Sequence, residues 1–153
     1  YYASRGLGDV YKRQVLTVSG APLGGIEIDA AQIPDLVPVL AATAALAEGR
    51  TVITGAARLR LKESDRLDAM TNALSALGAN VTQQPDGLVI DGVPQLSPGS
   101  VDGCNDHRVV MAVAIAALRG TAPTIITDAQ SVAKSYPNFF EEYNRLGGKA
   151  NVI

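Results

Sequence analysis

Charged side chains cluster at three places in this chain, and each place opens a stretch with helical periodicity. The first is residues 61–67, with the sequence L-K-E-S-D-R-L, the second is His107-Arg108, and the third is Lys134. Only 18% of all residues are charged, so a run of five polar residues within 61–67 is unusual. Each cation at a helix start opposes the positive end of the helix macrodipole and costs about 0.3 kcal/mol or more. The placement therefore indicates a binding function rather than a contribution to stability.

Basic side chains at three equivalent helix starts predict a common anion-binding site. Free backbone N–H groups at a helix start attract anions, and arginine forms paired hydrogen bonds with carboxylate or phosphate. The candidate anion-binding residues are Arg66, Arg108 and Lys134. For one cluster alone, neutralisation by the neighbouring Asp65 or Asp106 on a solvated surface is the simpler interpretation. Three clusters in the same structural position favour the anion site.

Two carboxylates and a histidine beside these cations are candidates for proton transfer. Asp35 alone is more typical of an N-cap than of a base, whereas Glu63 lies among cations and is the less ordinary residue. His107 can act as an acid or base, but such a histidine more often supports its neighbours by hydrogen bonding. Cys104 has no obvious base partner and is expected to be a bystander. Because the sequence has no P-loop, no G-x-G-x-x-G and no metal-ligand spacing, neither a cofactor nor a metal is predicted.

Hydrophobic periodicity predicts four helices joined by short strands. The predicted helices are 35–47, 64–77, 106–118 and 137–146, and the predicted strands are 15–18, 26–28, 51–54, 80–83, 88–90, 124–127 and 150–153. Asp35 is the expected N-cap of the first helix, Pro137 is the expected first residue of the fourth, and residues 94–103 are expected to form a loop.

The order of these features repeats after about seventy residues. In each copy a buried helix that opens with Asp precedes a T-x-I-T or T-I-I-T strand, a polar cluster, an amphipathic helix ending in L-G, and an Asn-Val strand. Coincidence among alanine-rich segments is the alternative, but five landmarks in the same order favour a true repeat. The predicted fold class is therefore α/β, with two copies of a strand-helix-strand-helix-strand unit.

Composition excludes several classes of function. The chain has 153 residues, is 47% hydrophobic and carries a net charge of −2, so it can bury a core and shows no general affinity for nucleic acid or membrane surfaces. Its single cysteine excludes an internal disulfide. With no spanning helix and no secretory signal visible, the expected compartment is the cytoplasm.

The first fourteen residues differ from the rest of the chain. Residues 1–14 hold three of the five tyrosines and show no clear period. They are interpreted as a non-homologous leader, either artefactual or a native linker, and residues 15–153 as the folded part.

Four segments resemble the 5-enolpyruvylshikimate-3-phosphate synthase family, also called 3-phosphoshikimate 1-carboxyvinyltransferases. They are L-R-L-K-E-S-D-R-L (59–67), N-D-H-R-V-V-M-A (105–112), V-A-K-S-Y-P-N-F-F (132–140), and the helix segment 33–49. The resemblance covers residues 15–153 in the right order. A sister family acting on UDP-N-acetylglucosamine shares the fold but does not usually carry K-E-[ST]-D-R.

The resemblance implies transfer of the enolpyruvyl group of phosphoenolpyruvate to the 5-hydroxyl of shikimate 3-phosphate, without a cofactor. Asp35 would accept the hydroxyl proton and contact shikimate 3-phosphate, Lys62 would contact the same substrate, and Glu63 would transfer protons at the methylene carbon. Binding of phosphoenolpyruvate would fall to the basic residues Arg66, Arg108 and Lys134, with His107 in support. Arg58 stands where many members have a substrate-contacting Asn, and no role is assigned to it.

The resemblance also implies a larger protein. The family fold, an inside-out α/β arrangement of βαβαββ units, has two domains, and this chain would hold about two of its six units. Its partners would be the two substrates and the missing N-terminal part, within a monomeric enzyme. The chain alone is expected to be inactive and to expose surface that the missing units cover. The alternatives are the sister transferase and a non-enzymatic anion-binding module of the same fold.

Overall fold

The structure, a computed structural model, describes residues 19–151 and is a mixed α/β fold. Its strands are β1 (Glu27–Asp29), β2 (Arg50–Thr54), β3 (Asn80–Gln84), β4 (Gly87–Asp91), β5 (Ser100–Val101) and β6 (Ile125–Ile126). Its α-helices are α1 (Val37–Ala44), α2 (Arg66–Ala76), α3 (His107–Ala117) and α4 (Phe139–Arg145). Three 3₁₀ helices lie at Pro34–Leu36, Ala57–Leu61 and Ala129–Lys134.

The first copy of the repeat forms a four-stranded sheet with the strand order β1-β2-β4-β3. β1 and β2 are parallel, and α1 makes the crossover that a parallel pair requires. β4 is antiparallel to both β2 and β3. Ile53 of β2 lies opposite Leu88 of β4, and both side chains are buried, so one face of the sheet packs on the core.

The second copy repeats the parallel pair. β5 and β6 are parallel and α3 connects them, as α1 connects β1 and β2. An isolated parallel bridge precedes each pair, at Gly24–Glu48 in the first copy and at Leu96–Gly120 in the second. This correspondence confirms the α/β class and the strand-helix-strand part of the predicted repeat. In the part of the chain that the structure describes, the sheet of the second copy has two strands.

The core lies between the helices and the four-stranded sheet. α1 and α3 pack against each other, and both bury residues on most sides, as their all-round apolar sequences predict. α2 buries Leu67, Met70 and Leu74 completely on one face, so the predicted amphipathic helix is confirmed. Among the helices of residues 19–151, none is long and apolar enough to cross a membrane.

Two predicted helix starts are wrong. Asp35 does not cap α1: it lies inside the 3₁₀ helix Pro34–Leu36, and no side-chain cap bond forms at the start of α1. Its carboxylate contacts cations from other segments instead. Pro137 does not open α4, because the Phe139 N–H donates to the Tyr136 carbonyl across Pro137 and the helix begins after that turn.

Other differences lie outside the helices. β5 falls within the predicted loop 94–103, and the 3₁₀ helices Ala57–Leu61 and Ala129–Lys134 were not predicted. Ala150 is not in a strand, because its N–H and carbonyl both bond to the side chain of Asn144. The predicted leader 1–14, the predicted strand 15–18 and the last two residues of the predicted strand 150–153 lie outside the described residues.

Candidate functional site

Two aspartates set the helix starts that carry the predicted site. Asp65 caps α2, since its Oδ1 accepts from the backbone N–H groups of Leu67 and Asp68 at 3.1 Å each. Asp106 caps α3, since its Oδ1 accepts from the backbone N–H of Arg108 at 2.9 Å. Caps of this kind satisfy N–H groups that have no partner within the helix. They fix the directions in which the next side chains leave each helix.

Arg66 is a buried cation held by three carboxylates. It is 1% exposed. Its Nε donates to Asp106 Oδ2 at 2.8 Å and its Nη2 to Asp106 Oδ1 at 3.2 Å. Its Nη1 donates to Asp35 Oδ1 at 2.9 Å, and its Nη2 also donates to Glu63 Oε2 at 2.6 Å. Four hydrogen bonds occupy most of its five N–H groups.

This pairing shifts the pKa values of the groups involved. Burial acts to raise the pKa of Asp106, but the hydrogen bonds from Arg66 and from the Arg108 backbone outweigh it, so the pKa lies below its usual value. Burial acts to lower the pKa of Arg66, and the hydrogen bond and charge of Asp106 reverse this effect, so the pKa is raised. Both residues are therefore ionised at neutral pH.

Lys62 and Arg108 lie at the solvent side of this cluster, around Asp35. Lys62 Nζ is 3.4 Å from Asp35 Oδ1, and Arg108 Nη2 is 3.6 Å from Asp35 Oδ2. Arg108 Nη1 also donates to the Asp35 carbonyl at 3.2 Å. The Lys62, Arg108 and Asp35 side chains are 32%, 35% and 45% exposed, so a ligand can reach them. Although burial acts to raise the pKa of Asp35, the charges of Arg108 and Lys62 lower it below its usual value.

Lys134 occupies a different position from the other predicted cations. It ends the 3₁₀ helix Ala129–Lys134 and donates from Nζ to the carbonyl of Asn105 at 2.5 Å. Asn105 and Cys104 have left-handed backbones, with φ of 47° and 52°, and Asp128 accepts from the Asn105 N–H. Lys134 therefore supports the turn that leads into α3 and Arg108.

The structure brings five of the predicted site residues together, and the other two, His107 and Lys134, lie outside this group. Asp35, Lys62, Glu63, Arg66 and Arg108 form one cluster, here called the charge cluster. His107 is 7% exposed, and its Nδ1 has no hydrogen-bond partner in the structure. Asp106, which binds Arg66, was not among the predicted site residues, although an aspartate directly before His107-Arg108 was a visible signal.

The charge cluster can bind anions and expose a carboxylate at the same place. Lys62 and Arg108 are partly free to receive an anion, whereas Arg66 is occupied by Glu63 and Asp35. An anion that pairs with Arg66 through two N–H groups must take the place of one of these carboxylates, because only one N–H group is free. The displaced carboxylate would then lie beside the bound anion and be available for proton transfer. Among residues 19–151, no group of three or more His, Cys, Asp or Glu side chains could hold a metal ion.

Comparisons with known proteins agree on one family. A family model described as EPSP synthase (3-phosphoshikimate 1-carboxyvinyltransferase) matches residues 9–143. A 3-phosphoshikimate 1-carboxyvinyltransferase of Clostridium acetobutylicum is 53% identical over 124 residues, which are 81% of this chain and 29% of that protein. A relative of the same name from Clostridium kluyveri is 46% identical over 138 residues, 90% of this chain and 32% of its own length.

Solved structures show the same relationship. EPSP synthase from Acinetobacter baumannii superposes with a TM-score of 0.77 at 38% identity, covering 84% of this chain and 31% of that one. The enolpyruvyl transferase NikO from Streptomyces tendae superposes with a TM-score of 0.68 at 25% identity, covering 86% of this chain and 30% of its own. This chain thus spans about a third or less of the length of the relatives it matches. From the family match and from these relatives, the chain belongs to the EPSP synthase (3-phosphoshikimate 1-carboxyvinyltransferase) family.

Proposed function

We propose that this chain is part of an enzyme that transfers the enolpyruvyl group of phosphoenolpyruvate to the 5-hydroxyl of shikimate 3-phosphate and releases phosphate. This reaction belongs to the synthesis of chorismate and the aromatic amino acids. The charge cluster carries the proposal, because it joins cations and carboxylates from three separate segments in a chain of this family. Both substrates are anions, so the cations have matching ligands.

The proposed binding roles follow exposure and position. Arg108 and Lys62 are the accessible cations of the charge cluster, and we assign them to phosphoenolpyruvate and shikimate 3-phosphate, respectively. Arg66 binds phosphoenolpyruvate after exchange of a carboxylate. Lys134 either reaches the same anion by leaving the Asn105 carbonyl or acts through the turn before α3. His107 supports the start of α3 from its buried position.

The proposed proton-transfer roles follow from the same exchange. When a substrate anion takes the place of Glu63 on Arg66, the Glu63 carboxylate becomes available to transfer protons at the methylene carbon of phosphoenolpyruvate. The pKa of Asp35 is held low by Arg108 and Lys62, which makes it a weak base without substrate. Substrate anions that engage these cations would raise the pKa of Asp35, so binding itself makes it a better acceptor for the 5-hydroxyl proton.

The described residues expose an apolar surface that the rest of the proposed enzyme can cover. Two adjoining clefts of about 280 Å³ and about 220 Å³ share Ile115 and Phe139, and the second reaches Asp35 and Arg108. Large apolar side chains lie exposed around them, including Leu36, Val39, Leu118 and Leu146. We assign this surface to the N-terminal part of the same polypeptide and expect the chain alone to be inactive, because catalysis needs groups from both parts.

The same proposal covers the domain boundary, the oligomeric state, the compartment and the partners of the enzyme. Residues 15–153 form the C-terminal part of the transferase, which acts as a monomer in the cytoplasm without nucleic-acid or membrane partners. The net charge of −2 supports the absence of nucleic-acid and membrane partners, and the single cysteine supports a cytoplasmic compartment.

The test is an assay of phosphate release with two acceptors. The protein is produced with the coding sequence that precedes this chain and is supplied with phosphoenolpyruvate and either shikimate 3-phosphate or UDP-N-acetylglucosamine. We expect turnover with shikimate 3-phosphate alone, and reactions lacking one substrate serve as controls. Turnover only with the sugar nucleotide would assign the protein to the sister transferases, and turnover with neither would favour an anion-binding module.

A further inference from the structure

Asp106 is the most heavily used carboxylate in the site, and it faces no solvent. It is 0% exposed. Oδ1 accepts from the Arg108 N–H at 2.9 Å and from Arg66 Nη2 at 3.2 Å. Oδ2 accepts from Arg66 Nε at 2.8 Å and from Ser64 Oγ at 3.0 Å. A ligand cannot reach this carboxylate, so any effect it has on substrate must pass through the groups it holds.

The contacts of Asp106 join two helix starts that are 40 residues apart in sequence. One oxygen orders the first turn of α3, where Arg108 begins its side chain. Both oxygens accept from Arg66 at the start of α2, and Oδ2 also accepts from Ser64. Because the bond to Arg66 uses both Nε and Nη2, it fixes the plane of the guanidinium and not only its distance. The edge of the Arg66 guanidinium that Asp106 does not contact therefore points toward Asp35, Glu63 and the accessible part of the charge cluster.

We propose that Asp106 is a positioning residue that sets the affinity for phosphoenolpyruvate by holding the Arg66 guanidinium in its binding orientation. The inference rests on the proposed function and deepens it, because it names the group that prepares Arg66 for an incoming anion. Exchange of Glu63 or Asp35 for substrate leaves the pair between Arg66 and Asp106 intact. Arg66 thus keeps its orientation while its outer partners change.

Asp106→Asn separates this role from helix capping. Asparagine caps a helix about as well as aspartate, so its oxygen can still accept from the Arg108 N–H. Its amide nitrogen, however, then faces Arg66 Nε, which places a donor against a donor. The substitution leaves the start of α3 in place and removes the charged partner of the guanidinium.

The test measures both substrates in the full-length protein that contains this chain. In Asp106→Asn we expect the KM for phosphoenolpyruvate to rise about tenfold or more, as for loss of a charged hydrogen bond, and the KM for shikimate 3-phosphate to change by less than about twofold. The matched control is Asp91→Asn, which removes a carboxylate with the same Nε and Nη2 contacts to Arg50, at the exposed ends of the central strands β2 and β4. Asp91→Asn should leave both KM values unchanged.

Two results would overturn the inference. One is an unchanged KM for phosphoenolpyruvate in Asp106→Asn, and the other is an equal rise in both KM values, which a general loss of structure would give. If Asp106→Asn does not fold, Ser64→Ala removes one hydrogen bond to Asp106 Oδ2 and keeps every charge. It should raise the KM for phosphoenolpyruvate about twofold or more, and no rise would count against the proposal.

Calorimetry keeps this inference separate from the proposed function. If the parent protein forms no product from the two substrates, phosphoenolpyruvate is titrated into it and into Asp106→Asn with shikimate 3-phosphate present. A parent protein that binds phosphoenolpyruvate but forms no product would contradict the proposed function alone, and the comparison of affinities would still decide the role of Asp106. A parent protein that does not bind phosphoenolpyruvate would overturn both.

Discussion

Replacing Arg66 by methionine should destabilise the protein strongly, because the substitution leaves a buried charge without its partner. Methionine fills most of the space of the arginine stem and adds no charge. Asp106 is 0% exposed and would keep only Ser64 Oγ and the Arg108 N–H as donors. Asp35 and Glu63 would also lose a donor, but they are 45% and 43% exposed and can be hydrated. Most of the lost free energy of unfolding therefore comes from Asp106.

The expected magnitude is about 3–5 kcal/mol in the free energy of unfolding, the range found when one partner of a buried ion pair is removed. This is a large fraction of the total stability of about 5–15 kcal/mol that folded proteins have. The size of the loss depends on pH. Burial raises the pKa of the unpaired Asp106 in the variant, so lowering the pH protonates it and reduces the difference between the variant and the parent.

The assay is urea unfolding of the purified protein followed by circular dichroism, at neutral pH and in mild acid. The matched control is Arg50→Met, which breaks an ion pair of the same geometry on the surface and should leave the midpoint nearly unchanged. The double substitution Arg66→Met with Asp106→Asn should recover part of the loss, because it removes the unpaired charge. A loss below about 1 kcal/mol, or a loss that does not shrink in acid, would refute the reasoning.

Three further predictions concern binding, pH and packing. Arg108→Ala in the full-length protein should lower kcat/KM for phosphoenolpyruvate about tenfold or more through loss of a charged hydrogen bond. The control Arg119→Ala removes an exposed arginine and should leave kcat/KM unchanged. Equal kcat/KM values in Arg108→Ala and the parent protein would show that Arg108 is not part of the site. Because the folded pKa of Asp106 is lowered, its contribution to stability is present above the unfolded pKa of about 3.9 and is lost as the pH falls through the folded pKa. Urea midpoints measured between about pH 2 and 6 should therefore fall less steeply in Asp106→Asn than in the parent, and parallel curves would contradict this assignment. Gly87→Ala should destabilise the sheet by about 2 kcal/mol or more, because a Cβ there would lie 1.8 Å from the Ile53 carbonyl oxygen; an unchanged melting temperature would show that β2 and β4 can move apart.

Features that depend on near neighbours in sequence were predictable. α2 begins after Asp65 and ends before Gly78, which has a φ of +81°, as the N-cap and C′ rules require. The β3–β4 hairpin and α3 lie where alternation and apolar runs predict them. In each case the deciding interactions span a few residues, so the pattern along the chain contains them.

Features that depend on distant partners were not predictable in the same way. The side chain of Asp35 looks like an N-cap locally, but Arg66, 31 residues later, competes for its carboxylate. Two residues are too few to predict β5, and only pairing with β6 makes it a strand. The start of α4 differs from its prediction for a local reason instead. The Phe139 N–H bonds to the Tyr136 carbonyl, so Pro137 lies in a turn before the helix.

The charge cluster combines features that near neighbours in sequence determine with features that only the tertiary structure determines. The residue types and their places at helix starts predict cations and carboxylates suited to anions, and this prediction needs only local sequence. The burial of Arg66, its contact with Asp106, and the exposure of Lys62 and Arg108 depend on the tertiary fold. The fold brings the segment before α1 together with the starts of α2 and α3. Burial and competition for hydrogen bonds are properties of that three-dimensional arrangement, and they decide which charges are held in place and which are available to a substrate.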